Sequence, residues 1–154
     1  MRPLGSLSLA LALGIAMPGA FAEGFESKPE AAAKDPDYAA GKKAIEAKDW
    51  NAAIARLSKA AVRDPENPDI ENWIGFSYRN LKQYDAAFKH YERAIELDPR
   101  HRGAHEYIGE TYLLVGNLAG AEKHLAALRG ICLLGCDELN DLEEAIAAYK
   151  KGAK

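Results

Sequence analysis

The sequence predicts an all-α protein in which three helical hairpins stack into a solenoid closed by one further helix. Three observations predict it. Of 154 residues, 29 are alanine, the residue that most favours helix and lets helices approach closely. Residues recur at a period of 34, with Gly41, Gly75 and Gly109 in one column, Ala53, Ala87 and Ala121 in another, and Pro65 and Pro99 in a third; a fixed period of this length marks a repeat architecture. Within each copy the apolar residues fall at helical rather than strand spacing.

From the amino terminus, Arg2, the apolar run from Leu4 to Met17 and the small residues of Ala20-Phe21-Ala22 have the order of a secretory leader. Cleavage is expected after Ala22, giving a periplasmic or secreted protein with residues 1–22 removed. Residues 23–33 are polar or small without apolar periodicity, and read as a flexible lead-in. The rest holds no apolar stretch of about 18 residues, so no membrane insertion is expected after cleavage. With 20 Lys+Arg against 23 Asp+Glu in mixed order, the chain offers phosphates no basic face, and nucleic acid is not an expected partner.

The repeats occupy 34–67, 68–101 and 102–135. Asp35-Pro36 and Asn67-Pro68 place a capping side chain before a proline suited to a first helical turn, and Asp49 and Asn117 can cap second helices. In the second copy Ile70, Ile74, Tyr78 and Leu81 form one apolar stripe, and Ala87, Tyr91, Ala94 and Ile95 another. Tyr78 and Tyr112 follow their glycines at one offset. A mid-helix glycine costs about 0.5–1 kcal/mol relative to alanine, so the glycine column implies close helix approach, expected opposite Ala53, Ala87 and Ala121. Tyr78, Tyr91, Tyr112 and Leu125 fall on inward positions and are read as core.

Residues 136–154 form the cap and tail. Leu139, Leu142, Ile146 and Tyr149 continue the first-helix pattern, but Glu143 stands in the glycine column. A lone capping helix is therefore expected, with Glu143 and Glu144 in water. Between it and the third copy, Gly130 is read as stopping one helix and Asp137 as capping the next. Cys132 and Cys136, in an exported chain, predict a disulfide across five residues. Thiol redox exchange or soft-metal handling by this pair is the alternative.

The glycine, alanine and proline columns, and in the second copy Ile74-Gly75, Tyr78, Ala87, Tyr91, Ala94 and Asp98-Pro99, resemble the tetratricopeptide repeat (TPR) family. The resemblance implies a right-handed α-solenoid with a concave groove built from the first helices and a role in protein binding. The family's groove positions correspond to Tyr38, Lys42, Asn72, Trp73, Phe76, Arg79, Asn80, Tyr107 and Glu110. Family members carry a large aromatic where this chain has Glu71; Trp73 instead stands on the groove, with Tyr107 at the same position one copy later, so the two rings are expected to be neighbours. Arg79 and Lys42 are expected to anchor acidic groups. Some members hold a partner's terminal carboxylate through Lys, Asn and Arg; those positions here are Tyr38, Lys42, Trp73, Gly103 and Tyr107, which argues against that mode.

No catalytic constellation stands out. Ser27, Ser58 and Ser77 lie in no recognisable motif, and His101 and His105, followed by Glu106, lack the His-Glu-x-x-His order of a zinc protease. That histidine pair is expected to be exposed and unliganded, with His90 and His124 elsewhere on second helices. The reading is a non-catalytic, cofactor-free and metal-free binding module whose groove takes a protein or peptide, acting as scaffold or adaptor; its oligomeric state is open.

Overall fold

A computed structural model describes residues 35–152; the expected leader and the whole of the lead-in lie outside the described residues. Seven helices follow one another: α1 (Pro36–Glu46), α2 (Trp50–Arg63), α3 (Pro68–Asn80), α4 (Tyr84–Leu97), α5 (Arg102–Leu114), α6 (Leu118–Ile131) and α7 (Asp137–Gly152). They pair as α1/α2, α3/α4 and α5/α6, each second helix packs on the next first helix, and α7 packs on both α5 and α6.

The helix starts follow from side chains. Asp35 Oδ1 accepts the backbone N–H groups of Asp37 and Tyr38 at 2.8 and 2.9 Å, and Asn67 Oδ1 accepts those of Asp69 and Ile70. Asp49 and Asn117 accept from Ala52 and Gly120 at the second helices. Each satisfies donors that a first turn leaves unpaired. Asp35 also joins Arg63 of α2, which with the two backbone donors holds its carboxyl well below the usual range. Every hairpin turns through one left-handed residue in a common column: Lys48 (φ 57°), Lys82 (φ 58°) and Gly116 (φ 78°).

The core runs as three linked clusters. Ala53, Leu57 and Ala60 of α2 meet Ile70 and Ile74 of α3. Ala87 and Tyr91 of α4 meet Ile108 of α5. Ala121, Leu125 and Leu128 of α6 meet Leu142 and Ile146 of α7. The three column alanines are fully buried, yet they are not the main partners of the column glycines. A Cβ on Gly41 would lie 2.6 Å from Leu57, one on Gly75 2.8 Å from the Tyr91 ring, and one on Gly109 2.7 Å from Leu142. The missing side chains make room for large residues; at Gly75 the backbone of a column alanine, the Ala87 carbonyl, also comes close, at 3.2 Å.

The junction before the cap differs from the sequence reading in two details. Helix α6 continues past Gly130 to Ile131, and the left-handed glycine of the turn is Gly135 (φ 86°). The first carbonyl of α7 is that of Cys136, which accepts from Asn140, so Asp137 stands in the first turn rather than before it. There its charge faces the positive end of the helix. Cys132 and Cys136 are joined, with Cα atoms 5.7 Å apart. Glu143 is exposed and held by Arg129 at 2.8 Å; Glu144 is exposed.

Candidate peptide-binding groove

Helices α1, α3 and α5 lie side by side, and their shared face carries an aromatic ladder. Trp73 and Phe76, three apart on α3, have ring centroids 5.8 Å apart in an edge-to-face arrangement. Tyr107 of α5 stands 6.2 Å from Trp73 and 5.1 Å from Phe76. The two rings expected to be neighbours are neighbours. Each of the three is half-buried, leaving part of its surface open. Tyr38 of α1 packs beside Trp73 against the α2/α3 cluster.

The charged groups of this face are already engaged. Lys42 Nζ lies 3.1 Å from the centre of the Trp73 ring, a cation–π contact, and burial pulls its pKa down. Arg79 pairs with Glu110 across α3 and α5 and sits 5.2 and 5.3 Å from the Phe76 and Tyr107 rings. The two anchors expected for acidic groups are thus bound inside the protein. Asn80 is exposed but its amide donates to the Phe76 carbonyl at 2.8 Å. Asn72, read as a groove contact, is only 3% exposed and lies under the surface against Gly103.

The family model of the tetratricopeptide repeat matches residues 68–101, which are α3 and α4 with the turns around them. Solved tetratricopeptide structures superpose over most of the described helices. The TPR2B domain of yeast Sti1 in its pHsp70 complex has TM-score 0.70 at 19% identity, over 75% of this chain and 94% of that one. Residues 68–101 of this chain are a tetratricopeptide repeat, and the described helices have the tetratricopeptide fold. The repeat fold also matches the first TPR of Spaghetti bound to the HSP90 peptide SRMEEVD, with TM-score 0.63 at 21% identity over 71% of this chain and 89% of that one. The Yersinia enterocolitica type III secretion translocator chaperone SycD gives TM-score 0.68 at 19% identity, over 77% and 92%. At these identities the likeness is one of fold.

Three features of this repeat fold lie outside the sequence reading. Trp50, the first residue of α2, reaches the groove edge, its ring 5.9 Å from Phe76; its place directly after the Asp49 cap is the signal, since the start of a second helix abuts the next first helix. Glu106 is buried beside Tyr107 on α5. The third is the histidines, which are not exposed. His101 caps α5, its Nδ1 accepting from Ala104 at 3.0 Å, so its Nε2–H donates to Asp69 at 3.1 Å. That bond holds the Asp69 carboxyl below its ordinary value.

His105 and His124, read separately in the sequence, meet between α5 and α6 with Nδ1 atoms 3.0 Å apart. His105 Nε2–H donates to the Pro99 carbonyl at 3.1 Å. Its Nδ1 must then accept from His124, and both rings are neutral. Burial pushes both pKa values down, that of His124 to about 4. Among the described residues no group of three or more His, Cys, Asp or Glu is placed to hold a metal ion. Cys132 is 9% exposed and packs in the α6/α7 cluster.

Proposed function

We propose that this TPR protein is a non-catalytic binding module that recruits a peptide or protein segment into the groove of its first helices, acting as scaffold or adaptor in the periplasm. The observation that carries this reading is the continuous ladder of Trp73, Phe76 and Tyr107, half-buried and held by edge-on and tilted ring contacts and by Lys42. Rigid, partly desolvated aromatics are the residues on which binding energy concentrates. Two fold neighbours, Sti1 TPR2B and the first TPR of Spaghetti, are seen with pHsp70 and an HSP90 peptide, which supports a peptide in the groove. Capture of an acidic tail in that manner is disfavoured here, because Lys42 is turned onto Trp73 and Arg79 onto Glu110. The leader-like amino terminus and the disulfide, which persists in oxidising compartments, support export.

The test is capture of partners from the native compartment. Trp73→Ala is expected to weaken capture by about 2 kcal/mol, roughly thirtyfold in affinity, with the helical circular dichroism unchanged. Cys132→Ser with Cys136→Ser is expected to leave capture intact at temperatures where the fold persists. The reverse pattern would refute the groove and point to the cysteine pair.

A further inference from the structure

The groove contains a cavity of about 370 Å³ between α3, α5 and the start of α7, and the groups around it suit a cation. Glu106 lines it while only 8% exposed, and among the described residues no cation or hydrogen-bond donor is paired with its carboxyl. Burial first, then the charges of Glu110, Asp141 and Glu138, push its pKa up to about 8. Arg79 opposes that rise but is bound to Glu110. Asn72 forms the floor, and its Oδ1 has no donor among the described residues. Trp73 and Tyr107 supply the walls. Gly103 keeps the cavity open, since a Cβ there would stand 3.3 Å from the Asn72 amide nitrogen.

An ammonium or guanidinium entering this space meets a carboxyl that lacks a counter-ion and two aromatic rings. Two arginines also reach the rim, but both are engaged: Arg102 is 3.6 Å from Glu138 and Arg100 reaches the Ile131 carbonyl at 3.5 Å. An entering carboxylate would face four acidic side chains of the lining, Asp69, Asp98, Glu106 and Glu138, with Asp69 joined to His101, Arg102 beside Glu138 and Arg79 already paired with Glu110.

We propose that this cavity is the subsite of the groove that receives a lysine or arginine side chain of the bound peptide. The proposal rests on the groove reading and names its ligand chemistry. Entry of the cation drives the Glu106 proton into solvent and leaves a carboxylate paired with it. Affinity for a basic peptide therefore rises with pH, by up to about tenfold per unit until the carboxyl ionises unaided.

The experiment probes an array of random dodecapeptides with the purified wild-type protein, Glu106→Gln and Trp73→Ala at pH 6 and pH 8. Lys- or Arg-bearing peptides are expected to dominate wild-type capture, to bind more tightly at pH 8, and to lose about tenfold or more in Glu106→Gln with a flattened pH response. Glu106→Gln removes a buried ionisable group with little change of shape, so its helical signal should match wild type. If Trp73→Ala captures the same peptides as wild type, or if wild type captures none, the groove reading falls and the subsite with it. If capture needs Trp73 but shows no basic preference, or the preference survives Glu106→Gln, the groove stands and the cation subsite is refuted.

Discussion

Replacing Gly75 by alanine sets two effects of known size against each other. In the middle of α3, alanine gains about 0.5–1 kcal/mol over glycine from backbone entropy and propensity. Against this, the new Cβ would stand 2.8 Å from two carbons of the Tyr91 ring and 3.2 Å from the backbone oxygen of Ala87. Tyr91 is 0% exposed, so the ring cannot swing into solvent, and the Ala87 carbonyl belongs to the helix it would have to push. Overpacking of this kind costs about 1–3 kcal/mol. At mid-range the net expectation is a loss of about 1 kcal/mol, or about 4 °C in melting temperature at about 4 °C per kcal/mol. Gly130 is the control: it lies in α6, where an added methyl would meet nothing within 4 Å, so Gly130→Ala should raise stability by about 0.5–1 kcal/mol. Thermal and urea unfolding followed by circular dichroism would measure both. A Gly75→Ala protein as stable as wild type, or more so, would refute the view that close approach fixes the glycine column.

Two further predictions concern the third repeat and the cap. Cys132→Ser with Cys136→Ser frees a five-residue loop and should cost about 2 kcal/mol on chain-entropy grounds, read as loss of amide protection concentrated in α7; uniform loss along the solenoid would contradict a local clamp. The buried neutral pair His105/His124 binds protons more readily when unfolded, so its stabilisation is complete above about pH 6.5 and is lost as pH falls toward the folded pKa of His124, about 4. Thermal melts between pH 4 and 7.5 should show the advantage of wild type over His105→Leu with His124→Phe shrinking as pH falls, and a constant difference would refute a neutral buried pair. Glu106 acts in the opposite sense, since its raised folded pKa makes stability decline as pH rises from about 4.5 to about 8, so the histidine effect is best read in the Glu106→Gln background.

Most of the fold was legible because each of its rules repeats. The spacing of Gly41, Gly75 and Gly109 set the hairpin period, Asp35-Pro36 and Asn67-Pro68 marked the starts of α1 and α3, and Glu143 in the glycine column placed an exposed acid where the repeats bury a glycine. What the column could not reveal is which atom fills the space beside each glycine. Leu57, Tyr91 and Leu142 do so, two of them on second helices and one on the cap, and only the helix register decides that. The groove was legible in its aromatic members for the same reason, Trp73 and Tyr107 being one period apart. Its charges were not: Lys42 and Arg79 read as free anchors because their partners, the Trp73 ring and Glu110, lie on the next first helix of the stack. His105 and His124 sit at different repeat positions 19 residues apart, and no periodic argument brings them together.

The cap explains why the groove can hold an unpaired acid at all. In the first two copies the column glycine is filled from its own hairpin, by Leu57 or Tyr91, whereas Gly109 is filled by Leu142 of α7. The same helix brings Glu138 to the wall of the cavity, and Glu138 and Asp141 help to raise the Glu106 pKa. Helix α7 therefore seals the apolar end of the stack with one face and charges the cavity with another. Leu142, packed against α6 and over Gly109, fixes how closely α7 approaches α5. The disulfide, one residue before α7 begins, fixes where that helix starts, and so holds Glu138 at the cavity wall. Stability of the last repeat and the electrostatics of the groove are both set by one helix, and a change that loosens α7 should relax the environment of Glu106 before it reaches Trp73.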